Sequence, residues 1–190
     1  MKFVLKKIKL YFPLLKSLQT ALLTITGVAG FMSARCPINH WTTIAGLLAS
    51  LILSIGGSTV LNMWYDRDID RVMDRTHHRP LAQGRIPQKN ALIFGITLSV
   101  LGVGLGFFLS PLFAVILLAG IVFDAVIYTF WLKRRTCWSI VWGGFAGGMP
   151  ILAGRALGMG GIDMIGILLM LSVLFWIPTH MLTFSMRYEK

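Results

Sequence analysis

Between Asn90 and Leu132 the chain runs for 43 residues with one formal charge, Asp124, and four more tracts, 17–34, 36–65, 136–154 and 164–186, carry none. A helix needs about 20 apolar residues to cross the hydrocarbon of a bilayer, and these intervals are cut to that length. The tract 36–65 supplies a span over about 41–63, and the tract 90–132 divides at Ser110-Pro111, because proline disfavours helix for the residue before it. Six spans result, in an all-α polytopic membrane bundle. Only 13% of the 190 residues are charged and 56% are apolar, whereas soluble domains carry about a quarter charged residues.

The net charge of +11 would point a soluble protein toward nucleic acid. Allotted to the loops between six spans, sixteen of the eighteen basic residues fall on the side of the amino terminus, leaving Arg35 and Arg155 opposite. That asymmetry predicts a cytoplasmic amino terminus and a cell-membrane protein, and removes most of the case for nucleic acid. Lys2, Lys6, Lys9 and Lys16 recur opposite Val4, Ile8, Tyr11 and Leu15, as on an interfacial amphipathic helix, or as a plain topogenic tail. No small-residue cleavage site follows the first apolar run, which is read as retained. Cys36 and Cys137 fall on opposite sides and cannot pair.

Four of the seven acidic residues, Asp66, Asp68, Asp70 and Asp74, crowd the end of the second span. Asn62, Asp66 and Asp70 are spaced i, i+4, i+8 and cover only about 80° of a continuous helix. Hard cations such as Mg²⁺ take one or two carboxylates, with phosphate and water completing the shell. This face suits a Mg²⁺-diphosphate group, and Arg75 and Arg79 follow as planar forks for phosphate, with Pro80 expected to close the helix behind them. The alternative is a solvated turn in which the aspartates pair with the interleaved Arg67, Arg71 and Arg75. Asp124, alone inside a span and four residues before Tyr128, is either cavity-facing or a neutral, hydrogen-bonded structural group. Gly143, Gly147, Gly144 and Gly148 have spacings suited to close helix packing.

Residues 62–85, NMWYDRDIDRVMDRTHHRPLAQGR, resemble the first aspartate-rich motif of the UbiA-type intramembrane prenyltransferases, in the form carried by their haem O synthase (protohaem IX farnesyltransferase) branch. Residues 128–154, YTFWLKRRTCWSIVWGGFAGGMPILAG, and Trp176 to His180, WIPTH, are similar to two further segments of that branch. The resemblance implies an enzyme that transfers farnesyl from farnesyl diphosphate to a vinyl group of haem b, within a nine-span bundle around a central cavity. It implies Mg²⁺ on Asn62, Asp66 and Asp70, diphosphate on Arg75, Arg79 and Lys133, and haem near His180 and Tyr128. His180 is then a candidate haem ligand, or else a partner for backbone freed by Pro178. Residues 1–190 are expected to form one domain holding the first six spans, the family's second acidic motif and last three spans falling beyond Lys190. Other acceptors in the superfamily, an aromatic acid or a glycerol phosphate, and a catalytically silent membrane fragment are the competing readings. The chain departs from the pattern where Ser17 follows Lys16 and where Arg155 stands in place of a tryptophan.

Overall fold

A computed structural model describes residues 10–34 and 40–187, so the lysines from Lys2 to Lys9, Arg35, Cys36 and the end at Glu189-Lys190 lie outside the described residues. Among the described residues all regular structure is helical. A 3-10 turn, Phe12–Leu15, precedes α1 (Ser17–Met32), α2 (Trp41–Tyr65) and the short α3 (Arg67–Val72). Then come α4 (Gln88–Leu109), α5 (Pro111–Ile121), α6 (Ser139–Met159) and α7 (Met164–Arg187). Between α5 and α6 the chain winds on as a π-helix, Val122–Leu132.

Five of the six expected spans are long and apolar enough to cross a membrane: α2, α4, α5 with its π extension, α6, and Met164–Met181 of α7. The sixth, α1, is apolar but has 16 residues. At 1.5 Å per residue that is about 24 Å, short of a hydrocarbon core of about 30 Å. Its start is set by Lys16, whose left-handed backbone (φ 43°, ψ 62°) breaks the winding between the 3-10 turn and α1. The break at Ser110-Pro111 falls as predicted, with Ser110 extended and Pro111 opening α5.

The charge count ended the fifth span at Gly154, but α6 continues to Met159 and stops at the left-handed Gly160. The reason is the neutralisation of Arg155. Its Nε and Nη2 donate to the two Asp163 carboxylate oxygens at 2.8 and 2.6 Å, and Nη1 donates to the Ser33 carbonyl at 2.6 Å. Pairing and hydrogen bonds offset much of the cost of carrying this charge inside a helix, and they tie α1, α6 and the α6–α7 turn together.

Lipid offers helices no hydrophobic incentive to associate, so close backbone approach through small residues takes over. α2 and α4 pack in this way: a Cβ added to Gly57 would lie 2.6 Å from the Ser99 nitrogen, and one on Gly102 would lie 2.5 Å from the Ser54 nitrogen. At the crossing of α1 and α6, a Cβ on Gly154 would strike the Gly27 carbonyl oxygen. Gly144 and Gly148 likewise seat the α7 backbone, whereas Gly143 backs onto Tyr128. Phe31, Leu47, Leu51, Phe113, Leu117 and Leu152 fill the core between these contacts, and α6 lies at its centre against α1, α5 and α7.

Candidate active site

The aspartate face is built on a joint rather than on one continuous helix. α2 ends at Tyr65, Asp66 sits at φ −85°, ψ 3°, and α3 starts at Arg67. The i,i+4 register survives the joint, because Asp66 N–H donates to the Asn62 carbonyl at 3.0 Å and Asp70 N–H to the Asp66 carbonyl at 2.9 Å. Asn62, Asp66 and Asp70 are therefore all buried, while Asp68 and Asp74 are exposed. Pro80 does not close the helix. Met73 turns extended and ends α3 at Val72, after which the chain folds back on itself through Thr76, whose hydroxyl donates to the Asp70 carbonyl at 3.2 Å, and Arg71, whose Nε donates to the Ala82 carbonyl at 2.9 Å.

None of these aspartates takes a partner from the interleaved arginines, so the solvated-turn alternative fails at its pairs. Arg79 Nη1 donates to both Asp70 oxygens, at 2.8 and 2.7 Å. Lys133 donates from Nζ to Asp66 Oδ2, bridging the α2–α3 joint to the end of the π-helix. Outside this pair, Arg134 forks onto Asp68 at 2.7 and 2.8 Å and donates to the Tyr65 carbonyl at 2.9 Å. That fork holds the Asp68 carboxyl down at about 2. Arg75, expected beside Arg79, is exposed in the turn after α3 and forms no ion pair among the described residues. His77 and His78 are exposed there too.

Asp66 Oδ1 is buried and has no hydrogen-bond partner among the described residues. An unsatisfied carboxylate oxygen is costly to bury, and a cation held there would relieve the cost. Two carboxylates and an amide, with no group of three His, Cys, Asp or Glu side chains among the described residues, make an all-oxygen donor set. Such a set fits Mg²⁺ sharing its shell with phosphate, and does not fit zinc.

Beside this cluster opens a cavity of about 520 Å³ walled by Lys16, α1, α2, α5, the π-helix, α6 and α7. Lys16, Asn62, Asp124, Tyr128, Lys133 and His180 supply its principal polar side chains, and leucine and isoleucine much of the rest. The π-helix is what brings three of them together. In an α-helix nine residues turn through about 900°, setting Lys133 on the face opposite Asp124. Bonding from i to i+5 stacks residues four and five apart instead. Asp124, Tyr128 and Lys133 thus follow one another down one wall, with the Lys133 N–H donating to the Tyr128 carbonyl at 2.8 Å and the Lys133 ammonium 5.4 Å from the Tyr128 ring centre. On the facing α7 wall the His180 ring stacks on Trp176 at 4.8 Å.

Sequence reasoning gave Lys16 no place in the site. It sits at the cavity because of its left-handed backbone, and burial holds its ammonium below the usual lysine range. The only signal was a lysine interrupting apolar sequence directly before a span. The Ser58 hydroxyl, donating to Asp124 Oδ2 at 2.5 Å, left no signal, since the two are 66 positions apart.

The sequence profile of the UbiA prenyltransferase family matches residues 22–190. The chain is 41% identical over 181 residues to the protoheme IX farnesyltransferase of Pyrobaculum neutrophilum, and 39% identical over 186 residues to that of Archaeoglobus fulgidus. These alignments take in 95% and 98% of this chain and 65% of each relative, so the chain spans about two thirds of the length of the curated relatives it matches. Among solved structures, one of digeranylgeranylglyceryl phosphate synthase shares the fold with a TM-score of 0.80 at 23% identity, over 90% of this chain and 60% of that one. A UbiA homologue from Archaeoglobus fulgidus bound to GPP and Mg²⁺ gives 0.73 at 20% identity, over 91% of this chain and 62% of that one.

Proposed function

The chain belongs to the UbiA prenyltransferase family and is a multi-pass membrane protein, and from that premise we propose that it transfers a farnesyl group from farnesyl diphosphate to a vinyl group of haem b. The observation that carries this reading is the buried Asn62, Asp66 and Asp70 face, with its partnerless Asp66 Oδ1, beside a largely apolar cavity. The relatives matched at about 40% identity bear the name protoheme IX farnesyltransferase, which supports haem over an aromatic acid or a glycerol phosphate as acceptor.

Asn62, Asp66 and Asp70 would hold Mg²⁺, which when bound supplies positive charge to the oxygens of the departing diphosphate. Arg79 and Lys133 now neutralise the aspartates. With the diphosphate in place they donate to its oxygens instead, and those hydrogen bonds strengthen as the leaving group gains charge. Arg75, exposed in the turn after α3, would join them on the diphosphate. The apolar wall receives the farnesyl chain and keeps water from the allylic carbon. Tyr128 and His180, on facing walls, flank the space for the haem. The division of basic residues supports a cell-membrane protein with its amino terminus and this site at the cytoplasmic face.

The test uses membranes containing the protein, supplied with farnesyl diphosphate, haem b and Mg²⁺. The expected product is farnesylated haem, detected by mass and abolished by a chelator. Prenylation of an aromatic acid or glycerol phosphate in place of haem would overturn the choice of acceptor, and diphosphate release that ignores the chelator would overturn the metal site.

A further inference from the structure

Prenyl transfer needs a group that the aspartate cluster does not supply. When farnesyl C1 leaves the diphosphate oxygen and bonds the outer vinyl carbon, the C1–O bond electrons depart with the diphosphate and the vinyl π electrons form the new C–C bond. The inner vinyl carbon is left a cation. It is quenched either by water, which then loses a proton, or by loss of a proton from carbon. Either way one proton must be accepted near that carbon, and in the reading above Asp66 and Asp70 are committed to the metal.

We propose that Asp124 is the base that accepts this proton; the assignment rests on the prenyl-transfer reading above. Its carboxylate lies in the cavity wall, on the same face of the π-helix as Tyr128 and Lys133 and two turns deeper than the ammonium that meets Asp66. Ser58 donates to Oδ2 at 2.5 Å, which fixes the carboxylate as an acceptor, and no described residue donates to Oδ1. An oriented carboxylate with one oxygen uncommitted, facing a substrate-sized cavity, has the arrangement of a general base. Lys16 and Lys133 line the same cavity, so two cations share the space that its carboxylate faces. A negative charge in the cavity wall would also attract the developing carbocation. By contrast Asp163, a structural carboxyl in the half-exposed α6–α7 turn, has both oxygens bonded to Arg155.

The experiment compares wild type, Asp124→Asn and Asp124→Glu in membranes, measuring farnesyl diphosphate binding, diphosphate release and prenylated product on the same samples. Asparagine keeps the shape and the hydrogen bond from Ser58 but cannot take the proton. Asp124→Asn is expected to bind farnesyl diphosphate within about twofold of wild type while product formation falls about 100-fold, the size of a general-base contribution. Asp124→Glu should recover part of the product. Wild-type product formation by Asp124→Asn, or binding and product falling together, would overturn the assignment to Asp124 alone. Failure of the wild type to release diphosphate with any acceptor would overturn the prenyl-transfer reading, and the assignment with it, before any substitution is made.

Discussion

Replacing Lys133 by methionine removes one charge and keeps the stem, and the structure requires it to act in opposite directions on two ligands. Asp66 has a side chain 8% exposed, Oδ1 already lacks a partner, and Oδ2 has Lys133 as its cation. Breaking a fully buried pair costs about 3–5 kcal/mol, but Lys133 is 31% exposed and water can enter, so about 1–3 kcal/mol of stability is expected to go. The stranded carboxylate regains that energy by taking a divalent cation, since the competing ammonium is gone. Mg²⁺ should therefore bind the substrate-free variant more tightly than it binds wild type. Farnesyl diphosphate should bind less tightly, because a charge-assisted hydrogen bond to phosphate, worth about 1.5–3 kcal/mol, is lost, or roughly ten- to hundredfold in affinity. Titration calorimetry on the purified protein in lipid nanodiscs reads both affinities. If Lys133→Met shifts both in the same direction, or moves neither, Lys133 is not exchanged between Asp66 and the diphosphate.

Asp68→Asn should reduce turnover less than tenfold, against a near-complete loss for Asp66→Asn or Asp70→Asn, because Asp68 faces away from the buried pair; equal losses at all three would defeat the one-face geometry. Arg134 holds Asp68 at about 2, below the ordinary carboxylate value, so the stabilisation is fully present above about pH 4 and fades as pH falls toward 2. Thermal unfolding of wild type and Asp68→Asn should accordingly differ by a constant amount from pH 5 to 7 and converge in acid. Gly154→Ala drives a methyl into the Gly27 carbonyl and should lower the melting temperature in detergent by an overpacking cost of about 1–3 kcal/mol, while Gly161→Ala, with open space around it, should be neutral. A single cysteine at Gln83, with Cys36 and Cys137 replaced by serine, should resist an impermeant thiol reagent in intact cells and react after lysis; labelling in intact cells would reverse the orientation.

The spans at α2, α4, α5, α6 and α7 were legible because a bilayer imposes a local constraint: about 20 residues without charge, readable from one stretch of chain. The i,i+4 face of Asn62, Asp66 and Asp70 was legible for the same reason, and it survived a joint that the sequence does not announce, because the hydrogen bonds across Asp66 keep helical register. Residues whose state depends on a distant partner were not legible. Arg155 ended a charge count, yet α6 runs through it because Asp163 and Ser33 meet its guanidinium. Arg75 looked equivalent to Arg79, and only the early end of α3 leaves one exposed and the other on Asp70.

By itself the sequence determined an all-helical membrane bundle, its helix order and the acidic face, since each follows from hydropathy and helical period within a few turns. The tertiary structure decided which cations meet that face and what else shares the cavity. Lys133 reaches Asp66 across 67 positions, and it lies on the same wall as Asp124 only because the chain winds with i to i+5 bonds from Val122 to Leu132. The choice between α and π winding turns on packing against α6 and α2, where Tyr128 backs onto Gly143 and Asp124 meets Ser58. A small local difference in winding energy is settled by contacts between helices far apart in the chain, which no window of sequence contains.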